Sequence, residues 1–361
     1  MDFGLSEEQV LLQETVRRFL AARCPTPRVR EIMETPTAHD AELWRGLAEL
    51  GVPSILAPEP HGGLGQELLD LAIVAEELGY AATPGPFLAS AMATVALAHC
   101  DDATAKSRWL PKLASGEALG AIAIGEANEE WGLDRLSTRA GRGGLTGKKP
   151  LVAGAGVADF VLVAAVGDEG IGLYSVDAGA SGLTVAALKT SDLTRPLWSV
   201  ELADAPATRI GGAAAVARAY DAGLVLLAAD AYGGARRCFE MTRGYVLERE
   251  QFGQKIGSFQ AVKHQLADLI ADLEPVMSLY WYAAHAFDRL PDKATRHAAL
   301  AKAHAGDVFD RMTRMATELH GGIGFTWEYD LHLWFRRAMF DRSYLGEAIY
   351  QRARAAAVSG W

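Results

Sequence analysis

Apolar residues recur along this chain with two different periods, and the switches between them mark three zones. From Leu5 to about Gly116 the spacing is helical. Ser6 followed three residues on by Gln9 is a capping-box signature, and Val10, Leu11, Val16 and Leu20 then fall on one side of a helix. Residues 41–50 and 67–78 repeat the pattern, set off by breaker segments such as Gly51–Val52–Pro53 and His61–Gly62–Gly63. From about Ala118 to Ile210, runs of strand length sit between Gly/Asp turns, over 121–124, 151–152, 160–166, 171–176, 183–187 and 197–202. Asp168–Glu169–Gly170 reads as a hairpin turn. A small antiparallel sheet is expected there.

From Ala213 the helical period returns at greater length. Residues 213–249 contain no proline and predict a helix of up to about 55 Å at 1.5 Å per residue, with Tyr220, Leu224, Leu227 and Tyr232 buried. A loop over 251–257 follows. A second long helix opens at Ser258, with Phe259, Val262, Leu266, Leu269 and Leu273 on one face, and Pro275 is expected to kink or end it. A third runs over about 293–319, stopped by Gly321 and Gly322. A last covers roughly 329–357. The expected fold is α+β and multidomain: an N-terminal helical domain over 1–117, a middle antiparallel β domain over 118–210, and a C-terminal four-helix bundle over 211–361.

Composition narrows what such a molecule can do. Half of the 361 residues are hydrophobic and 22% are charged, enough for a large core and too little polarity for wholesale disorder. The formal net charge of −10 argues against a general nucleic-acid binder, which needs a basic surface. Cys24, Cys100 and Cys238 lie far apart and form neither a zinc pattern nor a disulfide framework, so no metal site is expected. The N-terminus lacks the apolar core of a secretion signal. No run reaches 18 apolar residues, because Asp159 and Asp230 interrupt the two best stretches. A cytoplasmic location without a membrane partner is the expectation.

Two segments carry candidate chemistry. In Arg249–Glu250–Gln251–Phe252–Gly253–Gln254–Lys255–Ile256–Gly257–Ser258–Phe259–Gln260, a cation stands at a helix end, an aromatic follows, and a new helix begins. Arginine is the side chain suited to bidentate phosphate recognition. In Glu318–Leu319–His320–Gly321–Gly322–Ile323–Gly324–Phe325–Thr326, three glycines in four residues leave backbone N–H groups free to cradle a pyrophosphate, whereas a simple helix stop needs one. Each alone is a weak signal.

Together, REQFGQKIGSFQAVKHQLADL and ELHGGIGFTWEYDLHLWFRRA strongly resemble the C-terminal domain of the acyl-CoA dehydrogenase family. The N-terminal LSEEQ…LLQETVRRFL, the LGVPSILAPEPHGGLG stretch and the central sheet fall in that family's order, so the resemblance covers the whole chain. It implies a flavoprotein that removes hydrogens from Cα and Cβ of an acyl-CoA thioester. FAD then lies at a subunit interface, with its ADP half held by the neighbouring chain's Arg-x-x-Phe-Gly motif and glycine turn. Carried over, Arg249, Gln251, Phe252 and Gln260 are the candidate FAD contacts of the first motif, and Gly321, Gly322 and Gly324 those of the turn. Glu318 stands where the family has Gln, and a carboxylate cannot donate that amide hydrogen bond. The expected electron acceptor is the soluble electron-transferring flavoprotein.

The departures are concentrated. The family's Thr-Glu-Pro and following Ser-Asp segment is here Ile124–Gly125–Glu126–Ala127–Asn128–Glu129–Glu130–Trp131–Gly132, so the hydroxyls are gone and an indole takes a small-residue position. The segment that places an aromatic and Ile-Thr against the flavin ring is Lys149–Pro150–Leu151–Val152–Ala153–Gly154. The usual Tyr-Glu-Gly base aligns with Tyr344–Leu345–Gly346, and the family's alternative base position is Gly223. Four carboxylates lie near the vacant positions: Asp221, two residues from Gly223; Asp341, one turn before the leucine; Asp230, in an apolar run that would raise its pKa unless Arg236 or Arg237 pairs with it; and Glu347, two residues beyond the leucine. Asp230 and Glu347 are taken as the candidate bases. Either the chain is an active dehydrogenase with a displaced base, or it is one subunit of a hetero-oligomer with a homologous chain. In the second case it keeps the half-site donated across the interface and has lost its own flavin-ring pocket. Its composition resembles subunits of family members that act on bulky acyl-CoAs such as steroid side chains. A cofactor-free helical scaffold is the remaining alternative.

Overall fold

The computed structural model describes residues 4–127 and 131–361. They form a helical N-terminal part, a middle β-sheet region and a helical C-terminal part, in the expected order. The N-terminal helices are α1 (Glu7–Arg23), α2 (Thr26–Met33), α3 (Ala41–Glu49), α4 (Leu68–Tyr80), α5 (Phe87–Ala98) and α6 (Ala103–Ala114). Ser6 caps α1 as its sequence predicts: its Oγ accepts from the Gln9 amide at 3.2 Å, and the Gln9 side chain accepts from the Ser6 amide at 3.0 Å. The pattern showed no α5, and the reason is physical. Every residue from Phe87 to Leu97 is buried, so α5 has no polar face to give a period.

The sheet comprises β1 (Gly120–Ala123), β2 (Arg139–Gly141), β3 (Gly144–Ala153), β4 (Phe160–Gly167), β5 (Gly170–Asp177), β6 (Leu183–Ala187), β7 (Leu197–Ala205) and β8 (Thr208–Gly212). Its order is β6-β7-β3-β2-β4-β5-β8, with β1 added beside β4. The sheet is mixed, not purely antiparallel as expected: β1 and β2 each pair with β4 in parallel. The excursion between β1 and β4 is long enough for the crossover that parallel pairing demands. The predicted hairpin is present, with Gly167 opposite Gly170 and Asp168–Glu169 as its loop.

The C-terminal part contains α7 (Ala213–Glu248), a hairpin of β9 (Glu250–Gln251) and β10 (Gln254–Lys255), then α8 (Gln260–Arg289), α9 (Pro291–His320), α10 (Leu331–Ser343) and α11 (Ala348–Ala357). Of the two outcomes expected at Pro275, a kink or an end, the second does not occur: the second long helix does not end there. An interior proline costs about 3 kcal/mol, yet α8 runs on past it, with Leu273 and Val276 buried on either side. The last expected helix is split, because Leu345 (φ +57°) and Gly346 (φ +92°) take left-handed conformations that no α-helix accommodates.

By compactness the chain separates into two units. One holds the residues up to Arg30, Ala72–Thr83 and Leu224–Trp361; the other holds Glu31–Leu71 and Pro84–Gly223. The core of the second lies on the sheet, around Val161, Val163, Val176, Trp198 and Val200. The core of the first is built on the long helices, with Tyr280, Phe309 and Trp334 among its fully buried side chains.

Candidate functional site

The two C-terminal motifs are brought together in the first unit where α7 and α9 end. Tyr245, in the last turn of α7, stacks on His320, the last residue of α9, with ring centroids 4.4 Å apart and 28° between planes. Burial holds the His320 pKa below its usual value. The neutral ring that satisfies both neighbours donates from Nδ1 to the Ala316 carbonyl at 2.7 Å and accepts the Tyr329 hydroxyl on Nε2 at 3.0 Å. Arg249 follows Tyr245 by one turn, its amide bonded to the Tyr245 carbonyl at 2.8 Å, and Gly321 follows His320 directly. Sequence reasoning passed over Tyr245; its i, i+4 relation to Arg249 was the available signal.

What these motifs present is mostly outward. Arg249, Gln251, Phe252, Gln260, Glu318, Gly321 and Gly322 are exposed, and only Gly324 is buried. Phe252 and Gly253 form the two-residue tip of the β9–β10 hairpin, with φ of +54° and +78°, the backbone of a type I′ turn. A phenylalanine there opposes both backbone preference and solvation, since its ring is 92% exposed. Ile323, Phe325 and Trp327 add to the exposed apolar surface beside the glycine turn. Surfaces of this composition mark places where something else docks.

The glycines of the turn differ in their reason. Gly321 has φ +64° and ψ −143°, a conformation nearly closed to other residues. A Cβ on Gly322 would meet nothing within 4 Å. Among the described residues, no neighbour demands a glycine at 322, and the space before it is open.

The candidate bases are placed as follows. Asp230 lies in the buried apolar run expected of it, with Leu226, Leu227 and Ala231 buried beside it, but it is ion-paired there. It is buried and accepts two hydrogen bonds from Arg337 Nη1, at 3.1 and 3.2 Å, while Nη2 of the same guanidinium donates to the Thr83 carbonyl at 2.9 Å. Neither Arg236 nor Arg237 forms this ion pair; Arg236 binds Glu76 at 2.6 Å and Glu77 at 3.1 Å. The true partner comes from α10, beyond the reach of any local spacing rule. Glu347 is exposed at the N-cap of α11 and makes no capping hydrogen bond with its side chain. Leu345 is buried.

The loop that carries Leu345 has a brace that the sequence did not reveal. Lys302, buried in α9, donates from Nζ to the carbonyls of Arg342, at 2.6 Å, and Gly346. Burial pulls its pKa down to about 8, against the opposing pull of Asp341 and Glu347. A lysine in the small-residue run of Ala301 to Gly306 was the visible hint.

In the second unit, the segments that depart from the family pattern are closed on themselves. Lys149 is fully buried and donates from Nζ to Glu126 at 2.6 Å and to the Ile124 carbonyl at 3.0 Å. Glu126 also accepts from the Ser137 hydroxyl at 2.7 Å and the Thr138 amide at 3.1 Å. Burial would raise the Glu126 pKa, but the Lys149 ammonium and these donors outweigh it and hold it below the usual range. Burial lowers Lys149 to about 8. The register of β3 shifts between Lys149 and Val152, where Pro150 lacks an N–H for the ladder. Trp131 is buried against Gly125, where an added Cβ would come within 2.9 Å of its ring. The two departures are thus coupled, the indole taking the room that the glycine leaves. Asn128, Glu129 and Glu130 of this segment lie outside the described residues.

The residues match two sequence families along most of the chain: acyl-CoA dehydrogenase, N-terminal domain, over 6–117, and acyl-CoA dehydrogenase, C-terminal domain, over 211–359. The chain belongs to the acyl-CoA dehydrogenase family. Among its relatives, the acyl-CoA dehydrogenase IpdE2 of Mycolicibacterium smegmatis is 33% identical over 95% of this chain and 96% of its own. FadE27 of Mycobacterium tuberculosis is 31% identical over 98% of this chain and 97% of its own. Among solved structures, the ChsE4–ChsE5 complex from Mycobacterium tuberculosis superposes with a TM-score of 0.92 at 30% identity, covering 100% of this chain and 99% of that one. Among the described residues, no helix is long and apolar enough to cross a membrane.

Proposed function

We propose that this chain is a subunit of a flavin-dependent acyl-CoA dehydrogenase that donates a dinucleotide half-site to a homologous partner chain. The observation that carries the reading is the contrast at Gly322 and Arg249: an open glycine turn and an exposed guanidinium, joined through the Tyr245–His320 stack. The residues fit the ADP half of FAD. Arg249 and Gln251 supply donors, the turn from Gly321 to Gly324 supplies small residues for a diphosphate, and Phe252 supplies an apolar face. Glu318 opposes a phosphate and weakens the grip. FAD, when bound, supplies the redox chemistry for α,β-dehydrogenation of an acyl-CoA thioester.

This chain's other residues support a donor role. Glu126 and Lys149 satisfy one another, and Trp131 fills the space beside Gly125, so these side chains offer no donor to a flavin ring. Asp230 is engaged by Arg337 and is assigned an ion-pairing role, not that of a base. Leu345 cannot accept a proton, and Glu347 is exposed at the N-cap of α11, away from any enclosed pocket lining among the described residues. The base and the ring pocket would then come from the partner; the similar ChsE4–ChsE5 structure is likewise a complex of two differently named chains. The electron-transferring flavoprotein remains the proposed acceptor, and the cytoplasm the proposed location.

Turnover tests the reading. The chain is produced together with a homologous family member and assayed with an acyl-CoA and an artificial electron acceptor. Activity is expected only in the mixed complex, and Glu347→Gln in this chain is expected to leave it unchanged. Turnover by this chain alone, lost in Glu347→Gln, would assign the base here and overturn the proposal.

A further inference from the structure

Three arginines of the first unit, Arg17, Arg236 and Arg237, lie near two buried carboxylates of α4, and the pairing leaves one over. Arg17 donates to Glu77 through Nε at 2.9 Å and Nη2 at 2.8 Å. Arg236 binds Glu76 and Glu77. Glu76 also accepts from the Tyr280 hydroxyl. Both carboxylates are thereby committed. Arg237 has no carboxylate within ion-pair distance among the described residues. Its guanidinium lies over the Tyr80 ring at 5.4 Å and the Trp334 ring at 5.7 Å, and its one hydrogen bond is a long 3.4 Å contact to the Tyr80 hydroxyl. That hydroxyl is itself engaged with Glu240 at 2.5 Å.

Arg237 also lines a cavity of about 180 Å³ within the same unit, together with Arg17, Leu20, Glu77, Tyr80 and Trp334. Its walls are mainly apolar side chains from α1, the end of α4 and α10. An apolar cavity of about 150 Å³ holds a benzene molecule. We propose that this cavity is a binding site for a small monocarboxylate with a ring-sized or short-chain apolar body, its carboxylate paired with Arg237. Such an acid places its body against Leu20 and Trp334 and supplies the anion that the α4 carboxylates do not. Planar guanidinium and carboxylate groups match in a bidentate pair, and partial burial strengthens it relative to a surface contact. The site involves none of the residues assigned to the dinucleotide or to the loop around Leu345, so the inference stands apart from the functional reading above.

The test uses the full chain, in its purified form and in its complex with a homologous chain, titrated calorimetrically with benzoate and with hexanoate. One equivalent of either acid is expected to bind, with benzyl alcohol and 1-hexanol weaker by roughly tenfold or more. Arg237→Met is expected to weaken acid binding by at least about tenfold and leave the alcohols unchanged, whereas Arg237→Lys retains part of the preference. Leu20→Trp, which fills the cavity, abolishes binding of both classes. If Leu20→Trp fails to fold, the two Arg237 variants decide alone. No saturable binding up to about 10 mM acid, equal affinity for acid and alcohol, or unchanged acid affinity in Arg237→Met would each overturn the proposal.

Discussion

The turn around Gly322 and the segment around Glu126 handle polar groups in opposite ways. At the turn, side chains such as Ile323 and Phe325 are left facing solvent, and at the nearby β9–β10 hairpin a phenylalanine occupies the left-handed tip with 92% of its surface exposed. Around Glu126, a lysine and a glutamate are buried together and satisfied by a hydroxyl, an amide and a carbonyl of the same unit. A region built for the folded chain alone looks like the second. The first is costly in isolation, a cost that a molecule docked there would recover. On the proposed reading, the difference separates residues kept for binding from residues kept for folding, which identity to a family motif does not do.

The comparison is sharpened most by breaking the closed region. Lys149→Met leaves Glu126 as a buried charge without its counter-ion and is expected to cost about 3–5 kcal/mol of stability, read by urea denaturation. The Lys149→Met/Glu126→Gln double variant is expected to recover part of that loss. A change near zero in the single variant would mean that the pair does not close the segment. The same logic gives Asp230→Asn a loss of about 3 kcal/mol or more, because Arg337 then loses the Asp230 carboxylate. A base would instead give a stable protein with reduced turnover, so the variant distinguishes the two roles.

Acid offers a third approach to the closed region. The folded-state pKa of Glu126 lies below its ordinary value, so the unfolded chain binds its proton first as pH falls. The stabilisation from this group is complete above about pH 4.5, its ordinary pKa, and is lost as pH falls through the lower folded value. Urea midpoints from pH 6 downward are expected to fall more steeply in the wild type than in Glu126→Gln. Parallel curves would contradict the assignment.

At the open region the expected effects fall on the ligand and spare the fold. Arg249→Met is expected to weaken FAD retention by the complex roughly ten- to hundredfold, with an unchanged melting temperature. Gly322→Ala adds a methyl to open space, so its stability stays within about 0.5 kcal/mol of the wild type while FAD binding weakens. A stability loss in Gly322→Ala without an effect on flavin would make the turn structural.

Much of this was legible in the sequence because the signals were local. The Ser6 capping box, the 168–169 hairpin and the extent of α7 follow from neighbouring residues, and the fold class and family follow from motifs that stay intact. What was missed depends on distant partners or on burial from all sides. Arg337 reaches Asp230 from another helix, α5 has no polar stripe, and the parallel pairing of β1 with β4 is decided by a crossover. Pro275 does not end α8, because its local penalty is smaller than the packing that holds the helix on either side. The candidate FAD contacts were legible as residues; their outward display, and the Tyr245–His320 stack that joins the two motifs, were not.

Flavin stoichiometry tests the central claim most directly. The chain is purified alone and as a complex with a homologous family member, and FAD is counted per polypeptide from flavin absorbance and protein mass. The account predicts no retained flavin in the chain alone and one FAD for every two chains in the mixed complex. One FAD per chain in the protein purified alone would contradict it.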